Sequence, residues 1–136
     1  MARRLLEEAK RKGAELIVFP EFLMALSPGS QTAAELTEIA EPADGPFVSA
    51  LADAAKDAGI AVVATIYEPS TTVDRVFDTA LWIDRRGNIV SVYRKLHLYD
   101  AFGFKESDKF CPGDDLAPLT QSGDGCFGLM ICYDLR

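Results

Sequence analysis

The sequence predicts an α/β fold, a mixed sheet covered by helices, and three observations lead there. Helical and strand patterns alternate along the first part of the chain. Residues 60–67, 76–83 and 89–93 are apolar runs of strand length. The junctions between such segments carry glycine, proline and asparagine where a chain must turn. With 136 residues, 49% of them apolar, the chain holds at most one domain and can bury one core.

Residues 2–12 read as a helix, with Leu5, Leu6 and Ala9 on one side, Glu7/Arg11 and Glu8/Lys12 as favourable pairs, and Gly13 as its C-terminal cap. Residues 15–19 are almost wholly apolar, as a strand buried on both faces would be, and Pro20 closes them with Glu21 at the mouth. Residues 22–30 form a loop with a turn at Ser27-Pro28-Gly29, and residues 32–40 a short helix. Asp44-Gly45-Pro46 opens the next helix with proline at its first position. Phe47, Leu51, Ala54, Ala55 and Ala58 make its core stripe, and Gly59 ends it. The strands at 60–67, 76–83 and 89–93 read as a meander, joined by the polar stretch 68–75 and the turn Asp84-Arg-Arg-Gly-Asn88. Residues 96–115 are irregular, and a loop that long is more often functional than idle. A short strand at 116–120 and a turn at 122–125 lead to a last apolar strand, 126–131, which would deliver Cys132 to the sheet edge.

A thiol at a strand end is a weak nucleophile until something takes its proton. Glu21 and Lys95 each follow a strand, and a cysteine, a glutamate and a lysine suffice for acyl transfer from an amide. Taken singly, such a cysteine is more often core and such charged residues more often solvated strand ends. His97, the only histidine, follows Lys95 by two residues and offers a Cys–His hydrolase as the rival enzyme reading. Cys126 reads as core filler and Cys111, before Pro112-Gly113, as a loop thiol. Neither the cysteine spacing nor a single histidine builds a zinc site, so no metal and no cofactor are expected.

A net charge of −7 without a basic stripe argues against nucleic acid or an anionic membrane as partner. The longest apolar run, 60–67, is far below the roughly 18 residues a membrane span requires. No signal-peptide apolar region follows Met1, and Arg3-Arg4 is answered at once by Glu7 and Glu8. Three cysteines, an odd number, read as reduced thiols, and the expected location is cytoplasmic.

Three segments carry a family likeness. Val18-Phe-Pro-Glu21, Tyr93-Arg-Lys-Leu-His-Leu98 and Cys132-Tyr-Asp-Leu-Arg136 resemble, in order and spacing, the signature segments of the carbon–nitrogen hydrolase (nitrilase) superfamily. Phe104-Lys-Glu-Ser107 and Pro112-Gly-Asp114 resemble its connecting loop. The resemblance implies an αββα sandwich, usually a homo-oligomer, with Glu21 as general base, Lys95 as oxyanion partner and Cys132 as nucleophile. It makes Glu106 a second glutamate beside the lysine and places His97 in support of that loop. The backbone N–H of Tyr133 would join Lys95 at the oxyanion. Asp134 and Arg136 would form salt bridges below the nucleophile turn, and Asp100 and Asp114 would serve as turn residues.

The Cys-Tyr-Asp turn is similar to the amidase-type branches, whereas nitrile hydrolysers more often carry Cys-Trp-Glu. Members of the superfamily begin one strand earlier and continue for about as long again beyond the cysteine. Residues 1–136 are therefore expected to be a partial domain, its N-terminal half. The function implied is hydrolysis of a small amide to carboxylate and ammonia through a thioester. An ω-amide of a 2-oxo acid, an N-carbamoyl compound and a simple aliphatic amide all remain open as substrates. The reading from another class is an inactive half-domain that associates through its uncovered sheet faces.

Overall fold

A computed structural model describes residues 1–25 and 31–135, so the turn expected at Ser27-Pro28-Gly29 and the residue Arg136 lie outside the described residues. The first helix, α1, spans Ala2–Arg11, with Lys12 as its cap and Gly13 in the left-handed region at φ 78°. Strand β1 covers Leu16–Val18. Helix α2, Ala33–Ile39, starts at a reciprocal cap in which the Thr32 hydroxyl accepts from the Glu35 N–H while the Glu35 carboxylate accepts from the Thr32 N–H. Helix α3, Pro46–Ala58, begins on Pro46 and ends at Gly59, whose φ of 68° is the left-handed conformation that glycine adopts without penalty.

Strands β2 (Ala61–Pro69), β3 (Val76–Ile83) and β4 (Ile89–Arg94) form the expected antiparallel meander, and β1 adds to β2 in parallel. The sheet order is β1-β2-β3-β4, a mixed sheet. Its period-two alternation separates two cores. Val62, Ala64, Ile66, Leu81 and Ile83 face α1 and α3, meeting Leu6, Leu51, Ala54, Ala55 and Ala58. Burying each of the larger side chains is worth about 1.5–3 kcal/mol. Ala61, Ala80, Trp82 and Tyr93 face the other way, against Leu129 and Ile131. That second face carries the candidate site.

Two expectations need correction. β1 is not buried on both faces: it is an edge strand, and Val18 is 65% exposed, because among the described residues only β2 pairs with it. The expected last strand is also shorter and differently placed. After a two-residue hairpin of β5 (Asp100–Ala101) with β6 (Phe104–Lys105), the chain makes a second hairpin from β7 (Thr120–Ser122) and β8 (Gly125–Phe127). The segment that follows keeps strand-like alternation, with Leu129 and Ile131 buried and Met130 exposed, yet among the described residues it joins no ladder. Its apolar side chains pack onto the sheet face instead of extending the sheet edge. Cys132 therefore sits in a 3₁₀ turn, Cys132–Leu135, and not at a strand end.

Candidate active site

Each functional side chain is held by backbone contacts that follow from its neighbours. Glu21 leaves β1 through Pro20, and the next residue, Phe22, takes φ 63°. The Phe22 ring lies 5.9 Å from Tyr67 and 6.1 Å from Phe110, an aromatic cluster that fixes the turn carrying Glu21. Lys95 follows β4 directly. Its N–H donates to the Asp78 carbonyl at 2.9 Å, and its own carbonyl accepts from the Gly113 N–H at 2.8 Å. A Cβ at Gly113 would come within 2.4 Å of the Arg94 carbonyl oxygen, so only glycine lets the loop approach so closely. Glu106 opens a short 3₁₀ turn, Glu106–Asp108, and its carboxylate accepts from the Tyr99 N–H at 2.7 Å.

These elements meet at Lys95. Its ammonium, wholly buried, donates to Glu21 at 2.8 Å and lies 3.0 and 2.9 Å from the two Glu106 oxygens. Burial works against its charge, but hydrogen bonds to Glu21 and Glu106 overcome that and hold its pKa above the ordinary lysine value. The Cys132 thiol is exposed and stands within reach of the same Glu21 carboxylate. Its backbone is strained, with φ 45° at a residue bearing a Cβ. Burial and the Glu21 charge push the thiol upward from its usual value, and Lys95 only partly counters them. Lys95 thus acts on the thiol in the direction of thiolate, but burial and the Glu21 carboxylate outweigh it.

The Cys132 turn is fastened from below by Asp134. Its carboxylate accepts from the Ile131 N–H (2.9 Å), the Tyr93 hydroxyl (2.7 Å) and the His97 N–H (2.9 Å), and His97 Nδ1 lies 3.0 Å away. His97 is thus held against Asp134 through both its backbone N–H and Nδ1. Burial raises the Asp134 carboxyl, but the Ile131 N–H, the Tyr93 hydroxyl and His97 outweigh it and hold it below the usual aspartate range. A depressed carboxyl contributes stability above its unfolded pKa and loses it as pH falls through the folded value. Asp134→Asn places an amide NH₂ against these donors and should cost about 2–3 kcal/mol at neutral pH. In urea titrations that deficit should fade in acid, and an equal deficit at all pH values would refute the assignment. Of the other two cysteines, Cys126 is exposed on β8 and is no core filler, whereas Cys111 lies in a loop as expected, buried, with its sulfur 3.6 Å from the Ser70 hydroxyl. Asp100, expected in a turn, instead opens β5, and its carboxylate accepts from the Ser107 N–H.

One residue of the cluster went unread in the sequence. Asp78, on β3, is 2% exposed and faces Glu21, Lys95 and Glu106. Burial and the Glu21 carboxylate push its carboxyl well above the usual range. The available signal was a lone aspartate inside an otherwise apolar strand, since an unpaired buried aspartate is rare.

Comparison with known proteins places this geometry. A family model described as carbon–nitrogen hydrolase matches residues 2–136. A hydrolase of Mycobacterium tuberculosis is 39% identical over 132 residues, covering 95% of this chain and 44% of its own length. Deaminated glutathione amidase of Escherichia coli O157:H7 is 36% identical over 132 residues, with 97% of this chain and 49% of that protein covered. Among solved structures, the NitN amidase of Nesterenkonia sp. AN1 superposes with a TM-score of 0.76 at 26% identity, over 97% of this chain and 49% of its own. The chain spans about half the length of the relatives it matches. With a family model matching nearly every residue and the fold shared with a solved amidase, the chain belongs to the carbon–nitrogen hydrolase family.

Proposed function

We propose that this chain carries the catalytic face of an amidase, with Glu21 as general base, Lys95 as oxyanion partner, Cys132 as nucleophile and Glu106 as the group that holds Lys95 in place. One observation carries the reading: a wholly buried lysine pinned between two carboxylates, one of which also reaches an exposed thiol on a strained turn. Taking a lysine out of water is costly unless it is paired. A fold that does so beside a cysteine has arranged positive charge where an acyl oxyanion would form.

In the proposed reaction Glu21 takes the Cys132 proton as sulfur bonds to the amide carbon, giving a tetrahedral oxyanion. Lys95 and the backbone N–H of Tyr133 stabilise that oxygen, a contribution of about 3–4 kcal/mol for a well-placed donor. Glu21 then gives its proton to the nitrogen as the C–N bond breaks, which leaves a thioester. Water loses a proton to Glu21 as it attacks, the C–S bond breaks, and the thiol recovers the proton. A small amide is the substrate class. It is supported by the relative named deaminated glutathione amidase and by the Nesterenkonia amidase solved with butyramide and with acrylamide added at its active-site cysteine. Within that class the proposal favours an amide bearing a carboxylate, such as an ω-amide of a 2-oxo acid, from the Cys-Tyr-Asp turn. A homo-oligomer belongs to the same reading, supported by the exposed apolar residues Val18, Val90 and Val92.

Cys132→Ala tests it. Ammonia release from a panel of small amides should fall by at least about a thousandfold, since losing a nucleophile removes the covalent route altogether. Unchanged turnover in that variant would sink the proposal.

A further inference from the structure

Asp78 is a buried carboxyl group that this reaction leaves unused. Its side chain lies on the same sheet face as Ala80 and Trp82, at a position of β3 whose backbone carbonyl receives the Lys95 N–H. Neither of its oxygens receives a hydrogen bond from any donor among the described residues. An ionised carboxylate accepts only, so an ionised Asp78 would be a buried charge with no partner, an arrangement that proteins avoid. The charged groups that face it are Glu21, Lys95 and Glu106. Lys95 directs its hydrogen bonds to the two glutamates. What remains within hydrogen-bonding reach of Asp78 is the Glu21 carboxylate. Two carboxyl groups can hydrogen-bond only if one carries the proton, and because Glu21 already accepts from the Lys95 ammonium at 2.8 Å, the shared proton is assigned to Asp78.

We infer that Asp78 is a neutral carboxylic acid at pH 7 that donates a hydrogen bond to the Glu21 carboxylate, and so acts as a positioning residue for the base opposite Cys132. This rests on the proposed role of Glu21. Burial and the adjacent Glu21 charge, which both disfavour ionisation of Asp78, point the same way. With Lys95 on one side and Asp78 on another, the carboxylate is held in one orientation. It can receive the thiol proton without first turning.

The test is read first on the unmodified chain. In protein labelled with ¹³C at the aspartate side-chain carboxyl, one resonance should hold the protonated position at pH 7 and disappear in Asp78→Asn. Finding every aspartate resonance at the ionised position at pH 7 would overturn the inference, whatever the turnover. Two variants then separate positioning from packing. Asp78→Asn keeps a neutral donor of the same shape, so the pH midpoint for iodoacetamide labelling of Cys132 should stay within about 0.3 unit of the parent. If Asp78 were ionised, removing its charge would instead lower that midpoint by about one unit. Asp78→Leu removes the donor, and its Cys132 labelling profile should depart from the parent's while that of Asp78→Asn does not. Equal profiles in Asp78→Leu and the parent would show that the donor positions nothing. The proposed function fails separately, through Cys132→Ala.

Discussion

Replacing Lys95 with methionine should destabilise the fold by about 3–5 kcal/mol, the cost typical of removing one partner from a buried ion pair. The ammonium is wholly buried, and Glu21 and Glu106 both converge on it. Without it the buried Glu106 carboxylate faces the half-buried Glu21 with no cation between them, and one must take up a proton or the turn must open. The variant's deficit should therefore shrink as pH falls, because protonation does what the lysine did. In the parent the sign is the reverse. A lysine whose folded pKa lies above its ordinary value of 10.5 contributes fully below 10.5 and loses that contribution as pH rises through the folded value. Adding Glu106→Gln to Lys95→Met removes the second charge and should return part of the lost stability. Urea unfolding of the parent and the two variants measures this. A Lys95→Met chain as stable as the parent at pH 7 would show that the lysine is not the keystone of the site.

Much of the fold was legible because its elements are locally consistent. Pro46 at a helix start, Gly59 at its end and the apolar strands of β2, β3 and β4 agree with their surroundings, and the structure follows them. The last segment misled because alternation reports which side chains are buried and says nothing about hydrogen-bond partners. Leu129 and Ile131 alternate with exposed residues in the way a strand would, but their burial comes from packing on the sheet face. The family resemblance singled out Glu21, Lys95, Glu106 and Cys132, and the chain brings them together although 111 positions separate the first from the last. Two properties lay beyond spacing. The protonation of the thiol depends on the balance of burial, Glu21 and Lys95, which is a matter of distances. Asp78 became visible only once the register of β3 against β4 set it opposite Lys95.

Glu21→Gln should separate thiol reactivity from catalysis, moving the two in opposite directions. The Glu21 charge helps to hold the Cys132 thiol above its usual value, so a neutral glutamine should lower the thiol pKa. That raises the thiolate fraction where the thiol is mostly protonated, and the weaker basicity of the sulfur gives back only part of the gain. Iodoacetamide should then label Cys132 faster at pH 7, with a midpoint shifted to lower pH. Exposed Cys126 on β8, remote from this charge, serves as the internal reference and should label alike in both proteins. Amide turnover should nevertheless fall by about 10²–10⁴-fold, because the proton can no longer pass through Glu21 to the leaving nitrogen. A structural lesion would disturb both readouts in the same direction, and the buried Lys95 keeps Glu106 as its counter-ion in this variant. Slower or unchanged labelling of Cys132 together with undiminished turnover would remove Glu21 from the role of base.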